Sequence, residues 1–118
     1  MNAKLPELSV VSVPFPFTDR TKVKRRPALV LSSASEFNNV IGHSVMAMIT
    51  SSKNSAWPLD VEIQDLKQAG LPSSSVVRMK LFTLDHRLVI SVLGQLSHKD
   101  SAAVRDSIQK LLGTHAQK

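Results

Sequence analysis

Only one long segment of this chain carries helical periodicity, and it is the last. In "SHKDSAAVRDSIQKLLG" (97–113), Val104, Ile108, Leu111 and Leu112 recur at helical spacing. Ser97 with Asp100 three residues on makes a capping-box-like start, and Gly113 is a natural stop. Everything earlier reads in short β-type runs: 7–13, 26–33, 43–51, 59–63, 74–85 and 87–97. Between them lie "PFPF" (14–17), a charged loop (18–24), a connection (35–42), a polar loop (52–58) and a segment (64–72) with room for one helical turn closed by Gly70. Six or so short strands followed by one amphipathic helix leave few architectures open. The expectation is a mainly β fold, a small and strongly curved barrel with the helix laid over its sheet.

Prolines sharpen the strand reading. Pro14 and Pro16 remove two backbone donors, so "PFPF" is expected to stay out of any central strand, with Phe15 and Phe17 packing on the core from one side. Pro27 is tolerable only near the start of its run.

At 118 residues, 42% of them hydrophobic, the chain is expected to form one domain, 1–118, with a core that needs no staples. It has no cysteine, which excludes a disulfide framework, a thiolate zinc site and a cysteine nucleophile. No stretch has the length of a membrane span or the form of a signal peptide, so a soluble cytoplasmic protein is expected. The 15 Lys and Arg against 9 Asp and Glu give a net charge of +6. That excess favours an anionic partner: nucleic acid first, an acidic protein second, a membrane surface third.

Position decides what the charge is for. In "KVKRRPALVLSS" (22–33) four of the first five residues are cationic, and the charge stops at Pro27. Arg26 begins one predicted strand and Thr50 ends the next. If the two pair antiparallel, both come to one rim, beside the loops ending at Arg25 and beginning "SSKNSAW". Arg suits a phosphate because its planar fork makes two parallel hydrogen bonds and keeps its charge. Ser51, Ser52 and Asn54 add neutral donors and acceptors. His43 and His86 are candidates for a general base, but nothing in the sequence carries either to the rim. Met46 and Met48 are expected in the core. Trp57 is expected to pack under the loop before Pro58, with stacking on a base as the alternative. No metal-binding spacing, Gly-rich phosphate loop or nucleophile elbow is present.

Four stretches resemble the MazF/PemK family of toxin endoribonucleases: "VVSVPFPFTD", "KRRPALVLS", "MAMITSS" and "GLPSSSVVRMKLFTLDHRLV". The most specific part is R-P-x-L-V followed some twenty residues later by I-T-S. The resemblance implies an SH3-like barrel of about six or seven short strands with a C-terminal helix, acting as a homodimer. It implies a cofactor-free and metal-independent enzyme that cleaves single-stranded RNA and is silenced by a small antitoxin with an acidic, disordered segment. By position, the family's catalytic arginine and threonine fall on Arg26 and Thr50. Lys22, Lys24, Arg25, Ser51, Ser52 and Lys53 are then expected to bind RNA. A non-enzymatic poison resembling the gyrase toxin CcdB, or an inactive antitoxin-binding homologue, is the alternative. Two departures stand out: "PELS" replaces the usual "RGD" or "GD" before the first strand, and the loop before Arg26 lacks the common glycines.

Overall fold

Six strands frame the fold: β1 (Ser9–Phe15), β2 (Lys24–Val30), β3 (His43–Ser51), β4 (Val61–Glu62), β5 (Ser75–Asp85) and β6 (Ser91–Gln95). They are seen in a computed structural model that describes residues 5–15 and 24–113. All neighbours pair antiparallel in one sheet, in the order β4-β5-β3-β2-β1-β6. Irregular register between Ala47 and Met48, where β3 meets β5, and between Val10 and Val11, where β1 meets β6, marks two bulges. Bulges bend and twist a sheet, and here the six strands curl into a half-barrel.

The central strands bury both faces, which explains why their sequences do not alternate. Leu29, Ala47, Ile49 and Val77 point to one side and pack with Val61, Ile63 and Val104. Val11, Val13, Ala28, Val30 and Met46 point to the other and pack with Leu5 and Leu84. Val104 belongs to the terminal helix α3 (His98–Leu112). Ile108 packs beside it, whereas Leu111 and Leu112 are exposed, so the apolar stripe is shorter than its spacing suggests. Ser97 caps the helix by accepting from the Asp100 N–H at 3.1 Å. The Asp100 carboxylate does not complete a capping box. It is buried and accepts from the backbone N–H groups of Gln64 and Asp65 at 3.0–3.1 Å, pinning the chain after β4 to the helix.

The connections are more helical than their sequence suggests. Residues 35–42 form a π-type turn (Ala34–Asn38) running into α1 (Asn39–Ile41), which ends at Gly42 in the left-handed region. Residues 87–97 do not run as one strand, because His86–Leu88 is a 3₁₀ turn ahead of β6. β1 extends through Pro14 to Phe15, further than expected. It is paired on both sides only over residues 10–12; beyond that it pairs with β2 alone, so Pro14 stands where the sheet has an open edge.

One seam closes the gap between the sheet's two ends. α2 (Leu66–Ala69) is capped by Asp65 and ends at Gly70 with φ +74°, and it lies against β6. A Cβ on Gly94 would sit 2.6 Å from the Ala69 carbonyl carbon, and one on Gly70 would sit 2.7 Å from that of Leu93. The two backbones approach this closely because neither glycine has a side chain.

Candidate active site

The β2–β3 ladder sets Val30 opposite Met46 and Ala28 opposite Met48. Two residues further along the same register, Arg26 comes opposite Thr50. Both side chains line one cleft of about 370 Å³, with Phe15, Met48, Asn54, Arg78, Lys80, Leu81 and Phe82. Strand alternation explains the placing. Arg26 shares the face of Ala28 and Val30, whose apolar cluster ends at Ala28, so Arg26 is the first position on that face beyond the dry core. The charge crowds the start of β2 because the strand leaves the core there.

Thr50 is half-buried, and its hydroxyl oxygen accepts from Asn54 Nδ2 at 2.5 Å. Asn54 is itself set by its backbone N–H, which donates to the Ser51 carbonyl at 3.1 Å. Ser51, Ser52 and Lys53 form this turn but do not line the cleft. Ser51 Oγ accepts from the Lys53 N–H, and the Ser52 N–H donates to the Ser74 carbonyl. Ser52 Oγ is buried and without a partner among the described residues. Lys24 is exposed opposite Phe15, on Arg26's face. Arg25 lies opposite Pro14, and alternation puts it on the other face. Lys22, Phe17 and most of the charged loop lie outside the described residues.

Two site features escaped sequence reasoning. Arg78 and Lys80 stand on β5 and line the cleft. Arg78 is no free cation: its Nε and Nη2 donate to both carboxylate oxygens of Asp60 at 3.1 and 2.9 Å, and Nη2 also donates to the Ser55 carbonyl at 2.7 Å. That hydrogen bonding raises the Arg78 pKa further above its ordinary value. Arg26 and Lys80 form no ion pair among the described residues, so they carry the cleft's uncompensated charge. The available signal was the period of two in "VVRMKLF", which repeats a cation at alternate positions inside an apolar strand. Phe15 and Met48, expected in the core, instead form apolar walls of the cleft. Trp57, expected under its loop, is 41% exposed.

The histidines sit elsewhere. His43 begins β3, seven residues from Thr50, roughly 23 Å at the rise of an extended strand. Its Nε2 lies 3.9 Å from Asp85. His86 is buried at the same end, with Nε2 2.7 Å from Ser44 Oγ. Among the described residues, no group of three or more His, Cys, Asp or Glu could hold a metal ion, and no helix is long and apolar enough to cross a membrane.

A family model described as PemK-like, MazF-like toxin of type II toxin-antitoxin system matches residues 7–112. The chain belongs to this toxin family. Solved structures of PemK/MazF-like toxins agree. A chain from the MazE–MazF crystal structure of Deinococcus radiodurans is 28% identical, with 96% of this chain and 100% of that one covered and a TM-score of 0.76. An endoribonuclease in complex with its cognate antitoxin, from a mycobacterial species, is 14% identical, with coverages of 97% and 98% and a TM-score of 0.73. The Mycobacterium tuberculosis toxin MazF-mt6 is 18% identical, with coverages of 92% and 99% and a TM-score of 0.71. At those identities the two mycobacterial proteins speak to the fold alone. No curated protein sequence matches this toxin.

Proposed function

We propose that this PemK/MazF-like toxin is a sequence-selective endoribonuclease that cleaves single-stranded RNA without a metal, in the cytoplasm and as a homodimer. One observation carries the reading: Arg26 and Thr50, distant in sequence, line the same cleft. The lining also carries Lys80, and no carboxylate, histidine or cysteine among the described residues, so cations must supply the charge stabilisation.

The 2′-oxygen of the substrate attacks the adjacent phosphorus, the bond to the 5′-oxygen breaks, and the products are a 2′,3′-cyclic phosphate and a 5′-hydroxyl end. The proton leaves the 2′-hydroxyl and one is delivered to the 5′-oxygen. Arg26 neutralises the charge gathering on the phosphoryl oxygens. Removing one such preorganised donor costs roughly 10²–10³ in kcat. Thr50 accepts from Asn54, which orients its own O–H to donate to a phosphoryl oxygen; it is too weak a base to take the 2′-proton. Lys24 extends the cationic track on the same face as Arg26. An RNA oligonucleotide bearing a single 2′-deoxy substitution at the scissile nucleotide tests the chemistry, with EDTA present throughout. Cleavage should stop at that bond and continue elsewhere; cleavage at the deoxy position would refute attack by the 2′-oxygen.

The antitoxin partner is part of the same reading, and the similarity to MazF chains of the Deinococcus MazE–MazF structures supports it. An acidic disordered segment suits a cleft whose unpaired charge is positive, and wrapping it costs ordering entropy. RNA and antitoxin should therefore compete, with binding that weakens as salt rises.

A further inference from the structure

We infer that Trp57 is a stacking shelf for one unpaired nucleobase of the substrate, held rigid at the lip of the cleft. The inference rests on the RNA-cleaving reading for its ligand and on independent geometry for its place. The indole is 41% exposed, yet its surroundings are built to fix it. The Trp57 backbone N–H donates to Asp60 Oδ2 at 3.1 Å. Asp60 is clasped in turn by Arg78, which also holds the Ser55 carbonyl. The residue before Asp60, Leu59, is kept at φ +66°, a left-handed conformation that a branched side chain disfavours and that persists only where neighbours enforce it.

Two cations then approach the ring. Arg78 Cζ lies 5.7 Å from the ring centroid and Lys80 Nζ lies 5.0 Å from it. Both stand on the same face of β5, two residues apart. With the residue 41% exposed, aromatic surface remains open to a ligand. Lys80 and Arg78 also line the cleft that contains Arg26 and Thr50. A nucleotide whose phosphate enters this cleft therefore has a fixed aromatic surface beside it. Every base has a π-face, and such stacking is tolerant of base identity. The shelf therefore sets the position of the strand and favours bases that stack strongly over those that stack weakly.

Trp57 is the sole tryptophan in a chain that has no tyrosine, so its emission reports this site alone. The probes are 2′-O-methyl 12-mers of each base, which cannot be cleaved by 2′-oxygen attack, and an abasic 12-mer of equal charge. Base-containing oligomers should quench the emission on binding, and the abasic one should bind without quenching. By anisotropy of labelled oligomers, Trp57→Leu should weaken the base-containing probes roughly 5- to 150-fold, with Trp57→Phe recovering much of the loss. Affinity for the abasic probe should not change. Tight binding without quenching, or equal quenching by the abasic probe, overturns the shelf. RNA cleavage by Trp57→Leu at wild-type kcat/KM overturns it too, and leaves the endoribonuclease reading standing. Base-dependent quenching by a wild-type protein that cleaves no RNA would do the reverse.

Discussion

Beside each end of β3 an arginine is clasped by an aspartate, and the two clasps differ in kind. At the His43 end, Asp85 and Arg87 are two residues apart and bonded at 2.7–3.1 Å, with the Arg87 side chain 83% exposed. Asp85 also accepts from the Arg87 backbone N–H, so the pair closes a local turn, with only the long 3.9 Å approach of His43 Nε2 reaching it from β3 among the described residues. At the Thr50 end, Asp60 and Arg78 are 18 residues apart, with side chains only 18% and 12% exposed. That pair joins a loop to the sheet, and the loop carries Asn54 and Trp57. The histidines, the usual choice for proton transfer at neutral pH, belong to the first end. The cleft belongs to the second. The cleft thus lies beside a shielded tie between loop and strand, while the residue types suited to acid–base chemistry lie at the other end.

The largest expected effect separates the two ends by activity. Arg26→Ala should lower kcat roughly 10²–10³-fold, and Arg26→Lys should recover little because the two-pronged fork is gone. His43→Gln and His86→Gln should cleave RNA at the wild-type rate per folded molecule. Equal losses at both ends would dissolve the distinction. Next comes the hydroxyl at the cleft end: Thr50→Ser should keep more activity than Thr50→Val, since valine retains only the shape. If single-turnover rates fall alike in both, Thr50 serves packing.

Stability comparisons are smaller and sharpen the contrast. Asp60→Asn should lower the melting temperature more than Asp85→Asn and should also reduce kcat, because only the first loosens the Asn54 loop. The same drop in both variants would show the loop-to-strand tie to be ordinary. At the other end, Ser44→Ala removes a buried partner of His86 and should cost about 1 kcal/mol in urea unfolding, without changing cleavage. The smallest effect is in acid. The Arg87 side chain and then its backbone N–H hold the Asp85 carboxyl well below the usual carboxylate range. A folded-state pKa below the unfolded value contributes stability that is complete above about pH 4, and it fades as pH falls toward the depressed value. Arg87→Gln should therefore make unfolding between neutral pH and pH 3 slightly less pH-dependent, a modest change because Arg87 is mostly exposed. An unaltered acid limb would mean the pair contributes nothing.

Much of this was readable from the chain, and the exceptions share a cause. Arg26 and Thr50 could be brought together from sequence because antiparallel neighbours turn position along a strand into position in space. The helix start at Ser97 and the turn at Gly70 were readable because caps are local. Phe15 and Met48 were misplaced because period-two patterning separates the faces of a sheet without saying where a face stops being core. Asp100 was misread as half of a capping box because its true partners, the N–H groups of Gln64 and Asp65, lie 36 and 35 residues away. Arg78 went unnoticed for the same reason: its role depends on Asp60 across a loop whose path no local rule dictates. Lys22, expected on the RNA path, lies outside the described residues and stays an expectation.

The seam between α2 and β6 has a genetic consequence. A cell making a toxin selects for any change that disarms it, and the cleft is not the only target. A single methyl at Gly94 would meet backbone atoms of Gln68 and Ala69, which cannot swing aside as a side chain would. The two ends of the sheet would have to part, and β6 would present an unpaired edge to other copies. Survivors of induced expression should thus include Gly94→Ala and Gly94→Ser beside changes at Arg26. The two groups would be told apart in the cell extract, the first lost to the pellet and the second abundant in the supernatant but inert.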